Sequence, residues 1–369
     1  MTTRILAGST TERTLAVAAT RAGLLDVASA EVVVANADDV EAVAAGLGHD
    51  DVELVVGTGA VRTGRALTRR WRDAPVLLVA AGAAAYGPTP AALEGRLTRR
   101  ADRVLHPALV PGLRPLLLAE RSVPTRAVPL EDVRTVSAAL ALEGGVPTAL
   151  ADPTTLVLGR SADWAGALDR DQQTDLVTAM VQRCAEAGHS RIVLLLDTEP
   201  SERTRRHLER TARDARADVA LVVDDGPLDG WFARDGVGLV VGCASEDLLV
   251  ARQVHRRRVA QLDTEVVLRR LAPYADPRRT GATLVEATVP DLRTWTASPE
   301  GEELEAVDLA GLMGTVGYAM APELLAGRRA SAIGFLETHP RTRRRFVRRR
   351  RLTELRLPGG KRSVRTVLG

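Results

Sequence analysis

Few residues in this chain are equipped for chemistry. It has six histidines (His49, His106, His189, His207, His255 and His339), two cysteines (Cys184 and Cys243) and one lysine, Lys361. No His-Glu-x-x-His pattern or close histidine pair occurs, so no metal site is expected, and the histidines read as surface or helix-end residues. Two cysteines make neither a disulfide framework nor a Cys-rich zinc site, which fits a reducing cytoplasm. A single lysine near the C-terminus excludes a P-loop Gly-Lys-Ser/Thr and an interior Schiff-base lysine. No Gly-x-Ser-x-Gly elbow supports a hydrolase triad.

Three strand-to-helix junctions carry what remains. In "VELVVGTGAVRTGRAL", Gly57 and Gly59 follow a strand, but Arg62 stands where a dinucleotide fingerprint needs its third glycine. That turn reads as a tight connection, and no NAD is expected. In "LVVGCASEDLLVARQV", Gly242 ends a buried strand and Cys243-Ala244-Ser245 leads into a helix. Free backbone N–H groups and the Ser245 hydroxyl could hold a phosphate there, or Ser245 simply caps the helix. Glu246 and Asp247 suit the helix dipole but occupy the place of an anion. In "VLLVAAGAAAYGPTP", Val76–Pro90, a strand tip of the kind that carries chemistry in open α/β folds is built almost entirely of alanine.

The elements positioning these junctions are legible. The chain has 369 residues, 45% hydrophobic, with a mean hydropathy of −0.03, the profile of a soluble protein of two domains. No signal sequence or membrane-spanning run is evident. Apolar runs such as "RILAG", "EVVVA", "VELVV", "PVLLVA", "TTLVLG", "RIVLLL", "DVALVV", "GVGLVVG" and "TLVEA" suit parallel strands buried on both faces. Between them lie helical patterns such as Asp171–Ala187, closed by Gly188. The alternation predicts a doubly wound α/β fold with a break over 141–155. Residues 1–150 and 151–300 then form two Rossmann-like domains, followed by a C-terminal helical region and a basic tail over 301–369.

Charge is concentrated in that tail. "RTRRRFVRRRR", 341–351, holds eight arginines, and removing them turns the net charge of +3 into −5. The tail reads either as a solvated helix face or as an attractor of anionic lipid, worth about 1 kcal/mol per basic residue near a membrane. Aromatics are 3% of the chain, too few for base-stacking platforms, so no nucleic-acid partner is expected.

Several blocks resemble the bacterial α-2,8-polysialyltransferase family, particularly its actinobacterial members. They are "ILAGSTTERTLAVAATRAG", "AYGPT", "LVPGLRPLLLAE", "VVGCAS", "TEVVLRRLAPY" and "RRRRLTELRLPGG", in order along nearly the whole chain. The region after Asn36 is shorter than in the family. The resemblance implies a GT-B-type glycosyltransferase: an acceptor-side and a nucleotide-sugar-side Rossmann-like domain, a CMP-sialic acid donor, no cofactor and no metal. It also implies a role in capsule or cell-surface polysaccharide and a location in the cytoplasm, either free or peripheral at the inner membrane face. Gly242, Ser245, Thr264 and Glu265 fall on donor-binding positions, and Gly82 and Tyr86 on the acceptor loop.

The family's general base, an acid before a glycine, aligns with Ala81. Its His-Pro pair, which meets the donor phosphate, aligns with Glu199-Pro200. Glu246 replaces the second hydroxyl of its Ser/Thr pair. Loss of a general base costs about 10²–10⁴ in rate. A carboxylate ~5 Å from a phosphate charge repels it by about 3 kcal/mol at an effective dielectric of ~20. The literal pairs His106-Pro107 and His339-Pro340 follow other elements, and Glu143-Gly144, an acid-glycine pair, lies outside the matching block. The expectation is a diverged scaffold with weak or no transfer. The alternatives are an active glycosyltransferase with another donor, and a non-catalytic glycan- or membrane-associated protein.

Overall fold

The computed structural model describes residues 2–7, 9–25, 30–34, 52–93, 95–143, 150, 153–295 and 308–361. Two compact units emerge. The first comprises Met1–Leu150 with Gly226–Asp235 and Leu249–Arg257; the second comprises Ala151–Asp225, Gly236–Leu248 and Arg258–Gly369. Each is a Rossmann-like α/β unit built on one parallel sheet.

The first sheet contains β1 (Thr2–Ala7), β2 (Ala30–Val34), β3 (Val52–Gly57), β4 (Val76–Val79), β5 (Ala101–Pro107) and β6 (Thr125–Val128). Its order is β2-β1-β3-β4-β5-β6, all pairs parallel. Every residue of β4 is buried, as a strand covered on both faces requires. Helix α1 (Thr10–Arg21) follows β1, α2 (Val61–Arg70) follows β3, α3 (Arg96–Arg100) precedes β5, and α4 (Leu130–Glu143) follows β6. The segment 226–235 joins this unit through α7 (Asp229–Phe232), whose Asp229 Oδ1 accepts from Ser137 Oγ and His255 Nε2, each at 3.1 Å.

The second sheet contains β7 (Thr154–Leu158), β8 (Arg191–Leu196), β9 (Asp218–Val223), β10 (Val237–Gly242) and β11 (Arg258–Gln261), in the parallel order β11-β10-β7-β8-β9. Helix α5 (Arg170–Glu186) starts on a capping box between Asp169 and Gln172. It ends before Gly188, whose φ of +89° a side chain would strain. Helices α6 (Glu202–Asp214), α8 (Asp247–Gln253), α9 (Thr264–Arg270) and α10 (Arg278–Thr288) follow β8, β10 and β11. Helices α11 (Leu309–Met320), α12 (Arg329–Thr338), α13 (Pro340–Phe346) and α14 (Arg349–Glu354) add Leu312, Phe335, Phe346 and Leu352 to the same core.

Some sequence expectations need correction. "TLVEA" lies inside α10, where Arg279 through Ala287 are all buried. A short apolar run does not distinguish a buried helix from a strand. His106 and His255 are buried, not surface residues. The arginine tail is only partly engaged by the fold: Arg343, Arg348 and Arg351 are half-buried, while Arg341, Arg344, Arg345, Arg349 and Arg350 are exposed. Arg343 donates to the Leu336 carbonyl, Arg345 pairs with buried Glu286, and Arg351 donates to the Ala319 carbonyl. Arg348 donates to the Leu271 carbonyl, which Arg279 also caps at 2.7 Å. The break near 141–155 and the region after Asn36 fall mostly outside the described residues.

Candidate functional site

In a parallel sheet, the crevice at the carboxyl ends opens where the strand order reverses. In the first unit that point lies between β1 and β3; in the second, between β7 and β10.

At the first, Glu12 of α1 fills the space over the Gly57-Thr58-Gly59 turn. Its Oε1 accepts from Gly59 N at 2.8 Å and from Thr58 Oγ1 at 3.3 Å, and its Oε2 accepts from Ser9 N at 2.9 Å. A Cβ on Gly57 would stand 2.1 Å from Glu12 Oε2. The turn is a tight connection, and its N–H groups serve the chain itself.

On the next strand of the same sheet, Ala81 follows β4 and caps a 3-10 turn over Gly82–Tyr86. Gly82 has φ +61°, so a side chain there would be strained. Tyr86 is buried, and its hydroxyl accepts from Val110 N at 3.2 Å. Burial raises its pKa, against the N–H groups of Val110 and Leu109. His106 sits at the carboxyl end of β5, beside β4. Its Nδ1 donates to the Pro107 carbonyl at 3.1 Å, and its ring meets Tyr86 edge-on with centroids 6.1 Å apart. Burial lowers its pKa, against that carbonyl. His106 is thus an ionisable group in the strand next to the alanine loop. The side chain of Glu143 lies outside the described residues.

The crevice of the second unit is acidic. Trp164 Nε1 donates to the Cys243 carbonyl at 2.9 Å, tying the loop after β7 to the loop after β10. This brings Asp163 against Ser245. Ser245 is fully buried, and its hydroxyl donates to Asp247 Oδ2 at 3.3 Å. Burial first, then the charge of Asp247, pushes the Asp163 carboxyl up to about 7, against its bond to Ser245; Glu246 adds to the rise. The Asp163 Oδ2 atom is buried without a hydrogen-bond partner. Arg278 approaches from α10, but Asp276 Oδ2 holds it at 2.7 Å.

Thr264 is also fully buried, and its Oγ1 accepts from Ala244 N at 3.0 Å. Ala244 has a left-handed φ of +56°, so this bond braces a strained loop. Glu265, in the next position, is bonded to Arg269 at 2.8 Å on the helix surface. Gly242 packs against Leu158 and Leu248.

Beside this crevice a cavity of about 990 Å³ runs along the loops after β7 and β8, lined by Trp164, Asp197, Glu199, Arg203, His207 and Arg210 among others. Burial alone would raise Asp197, but the Ser161 hydroxyl and the N–H groups of Ser161 and Ala162 hold it below the usual carboxylate range. Glu199 lies in the loop after β8, exposed, with its Oε2 2.8 Å from Arg205 Nη2. The structure therefore puts Ser245, Thr264 and Glu199 at one end of one sheet.

Sequence reasoning passed over Asp163, Asp197 and Glu12. For Glu12 a signal existed: Ser9-Thr10-Thr11-Glu12 is a capping-box pattern. Among the described residues no group of three or more His, Cys, Asp or Glu side chains forms a metal site, and no helix is long and apolar enough to cross a membrane.

No protein-family model matches the chain, and neither does any curated protein. Among solved structures it is similar to Phytolacca americana UGT2 complexed with UDP-2fluoro-glucose and pterostilbene, at 12% identity and a TM-score of 0.45. That match covers 92% of this chain and 95% of the other. It is also similar to MurG of Acinetobacter baumannii, at 13% identity and a TM-score of 0.39, over 90% of this chain and 94% of that one. At these identities and scores the likenesses assign no activity.

Proposed function

We propose that this chain is a polysialyltransferase-like glycosyltransferase scaffold of GT-B type, diverged to weak or no transfer from CMP-sialic acid. The sequence blocks described above support the family reading. Divergence is supported chiefly by one observation: Ser245, at the donor-phosphate position, lies between Asp163 and Asp247. A transferring sugar leaves negative charge on the phosphate, and that charge needs donors or cations around it. Here the charged groups that Ser245 bonds to are carboxylates. Glu199, in place of a histidine, brings its own arginine partner but no free cation. Ala81, in place of the base, has nothing with which to take an acceptor's proton.

In this reading Gly242, Ser245, Thr264 and Glu265 outline the inherited donor side, and Gly82 and Tyr86 the inherited acceptor loop. Thr264 and Tyr86 keep a bracing role through their hydrogen bonds. The alternative, a working glycosyltransferase with another nucleotide-sugar donor, draws on Asp163, whose carboxyl titrates near 7 and so suits acid–base work.

Calorimetric titration with CMP-sialic acid and other nucleotide sugars, joined to a donor-hydrolysis assay, tests this. The expected result is no micromolar binding of CMP-sialic acid and no hydrolysis. Micromolar binding with turnover would overturn it, and turnover of a different donor would establish the alternative. The triple variant Ala81→Asp, Glu199→His, Glu246→Thr is expected to gain donor binding. A peripheral membrane role would rest on Arg341, Arg344 and Arg349, which are exposed. Its test is salt-sensitive pelleting with anionic but not neutral liposomes.

A further inference from the structure

We propose that the free edge of β9 joins a second copy of this chain, antiparallel, into one continuous sheet. β9 ends the order β11-β10-β7-β8-β9 and pairs with β8. Asp218 N donates to the Ser190 carbonyl and Asp224 N to the Leu196 carbonyl, so the even-numbered residues bond toward β8. Successive residues of a strand bond to opposite sides, so Val219, Leu221 and Val223 turn their N–H and C=O groups outward. Among the described residues no strand takes them. Edge strands are normally blunted by charge, proline or cover, because an open edge invites pairing. β6 carries Arg126 between Pro124 and Pro129. β11 is bridged to Asp291 through Gln261 and is buried after Arg258. β9 has no proline and no basic residue, only Asp218 followed by Val-Ala-Leu-Val-Val. Val223 is 41% exposed, whereas Leu196, its neighbour on β8, is 8% exposed.

The charges at the two ends of β9 select the occupant. Exposed Arg216 precedes the strand, and Asp224 and Asp225 follow it. A strand that is basic before and acidic after complements an inverted copy of itself, and repels a copy laid parallel to it. A two-fold axis at Ala220 exchanges bonds between Val219 of each copy and Leu221 of the other. The same axis sets Arg216 of each copy beside Asp224 of the other. An axis one residue further on, at Leu221, would oppose Asp218 to Asp224, and like charges directly opposite are destabilising. Charge therefore chooses both the direction of pairing and its register.

Sedimentation equilibrium of the full chain tests this. The native chain is expected to be a dimer at tens of micromolar. Val223→Lys charges the exposed edge and is expected to be monomeric with a native far-UV spectrum. Arg216→Asp and Asp224→Arg, each alone, set like charges against each other at both ends of the pairing. Each is expected to weaken dimerisation about tenfold. Arg216 has a left-handed φ of +53°, a conformation that Asp accepts. Mixed in equal amounts, the two charge variants restore both opposite pairs and are expected to dimerise as the native chain does. A variant that was merely destabilised would show no such recovery. A native chain that stays monomeric, a dimer unmoved by Val223→Lys, or a mixture no tighter than its components would overturn the proposal. If Val223→Lys fails to fold, the charge variants decide alone.

Discussion

The two sheets solve the same topological problem with opposite chemistry. Each has a strand-order reversal, and each reversal presents a carboxylate where an open α/β unit would receive an anion. In the first unit that carboxylate is satisfied: Glu12 accepts from Ser9, Thr58 and Gly59. In the second it is not: Asp163 leaves Oδ2 buried and unpartnered, and burial, with Asp247 and Glu246 behind it, pushes its pKa to about 7. The same chemical group therefore stabilises one crevice and strains the other. The first is closed, whereas the second keeps the uncompensated polarity characteristic of functional sites.

The largest expected effect is at Gly57. Gly57→Ala drives a methyl into Glu12, so the carboxylate must abandon its donors while still buried. A loss of about 3 kcal/mol or more is expected from chemical denaturation. A loss near zero would mean that Glu12 is free to swing away, and the contrast between the crevices would vanish.

Asp163 is predicted to respond in the opposite direction, and with a pH signature. Its folded value of about 7 lies above the ordinary 3.8, so the folded state holds its proton more tightly than the unfolded chain does. The resulting penalty is absent below about pH 4, grows as pH rises, and is complete above pH 7. Asp163→Asn removes it, and the variant is expected to gain about 3 kcal/mol more at pH 8 than at pH 4. Denaturant midpoints of both proteins across that range measure this difference. A pH-independent effect would show that Asp163 is not strained.

A smaller effect separates bracing from binding in the second crevice. Thr264→Val leaves the Ala244 N–H without its acceptor and should cost about 1–3 kcal/mol in unfolding experiments. A variant as stable as the native chain would return Thr264 to the role of a ligand contact. On the surface, Glu265→Ala breaks an exposed i,i+4 pair with Arg269 and should shift stability by less than about 0.5 kcal/mol.

Most of the fold was legible in the sequence. The expected parallel strands at "VELVV", "PVLLVA", "RIVLLL" and "GVGLVVG" are present, because strands covered on both faces leave an uninterrupted apolar run. The strands β5, β6 and β11 gave no such signal. β6 and β11 lie at sheet edges, and only the second half of β5 is buried. The places of Ser245 and Glu199 in the chain were legible because each follows a long apolar run, β10 and β8. Asp163 and Glu12 were not, because their meaning comes from partners brought in by sheet order: Ser245 for one, Gly59 for the other. Composition cannot reveal that pairing. The arginine tail shows the same dependence, since charge counts do not reveal that Arg343 and Arg351 cap carbonyls while Arg341 and Arg344 stay exposed.

The central claim is that the second crevice has become hostile to a charged nucleotide. Calorimetric titration of CMP into the unmodified chain at neutral pH tests it most directly. We predict no measurable heat at micromolar concentrations; saturable micromolar binding of CMP, abolished by Ser245→Ala, would contradict the account.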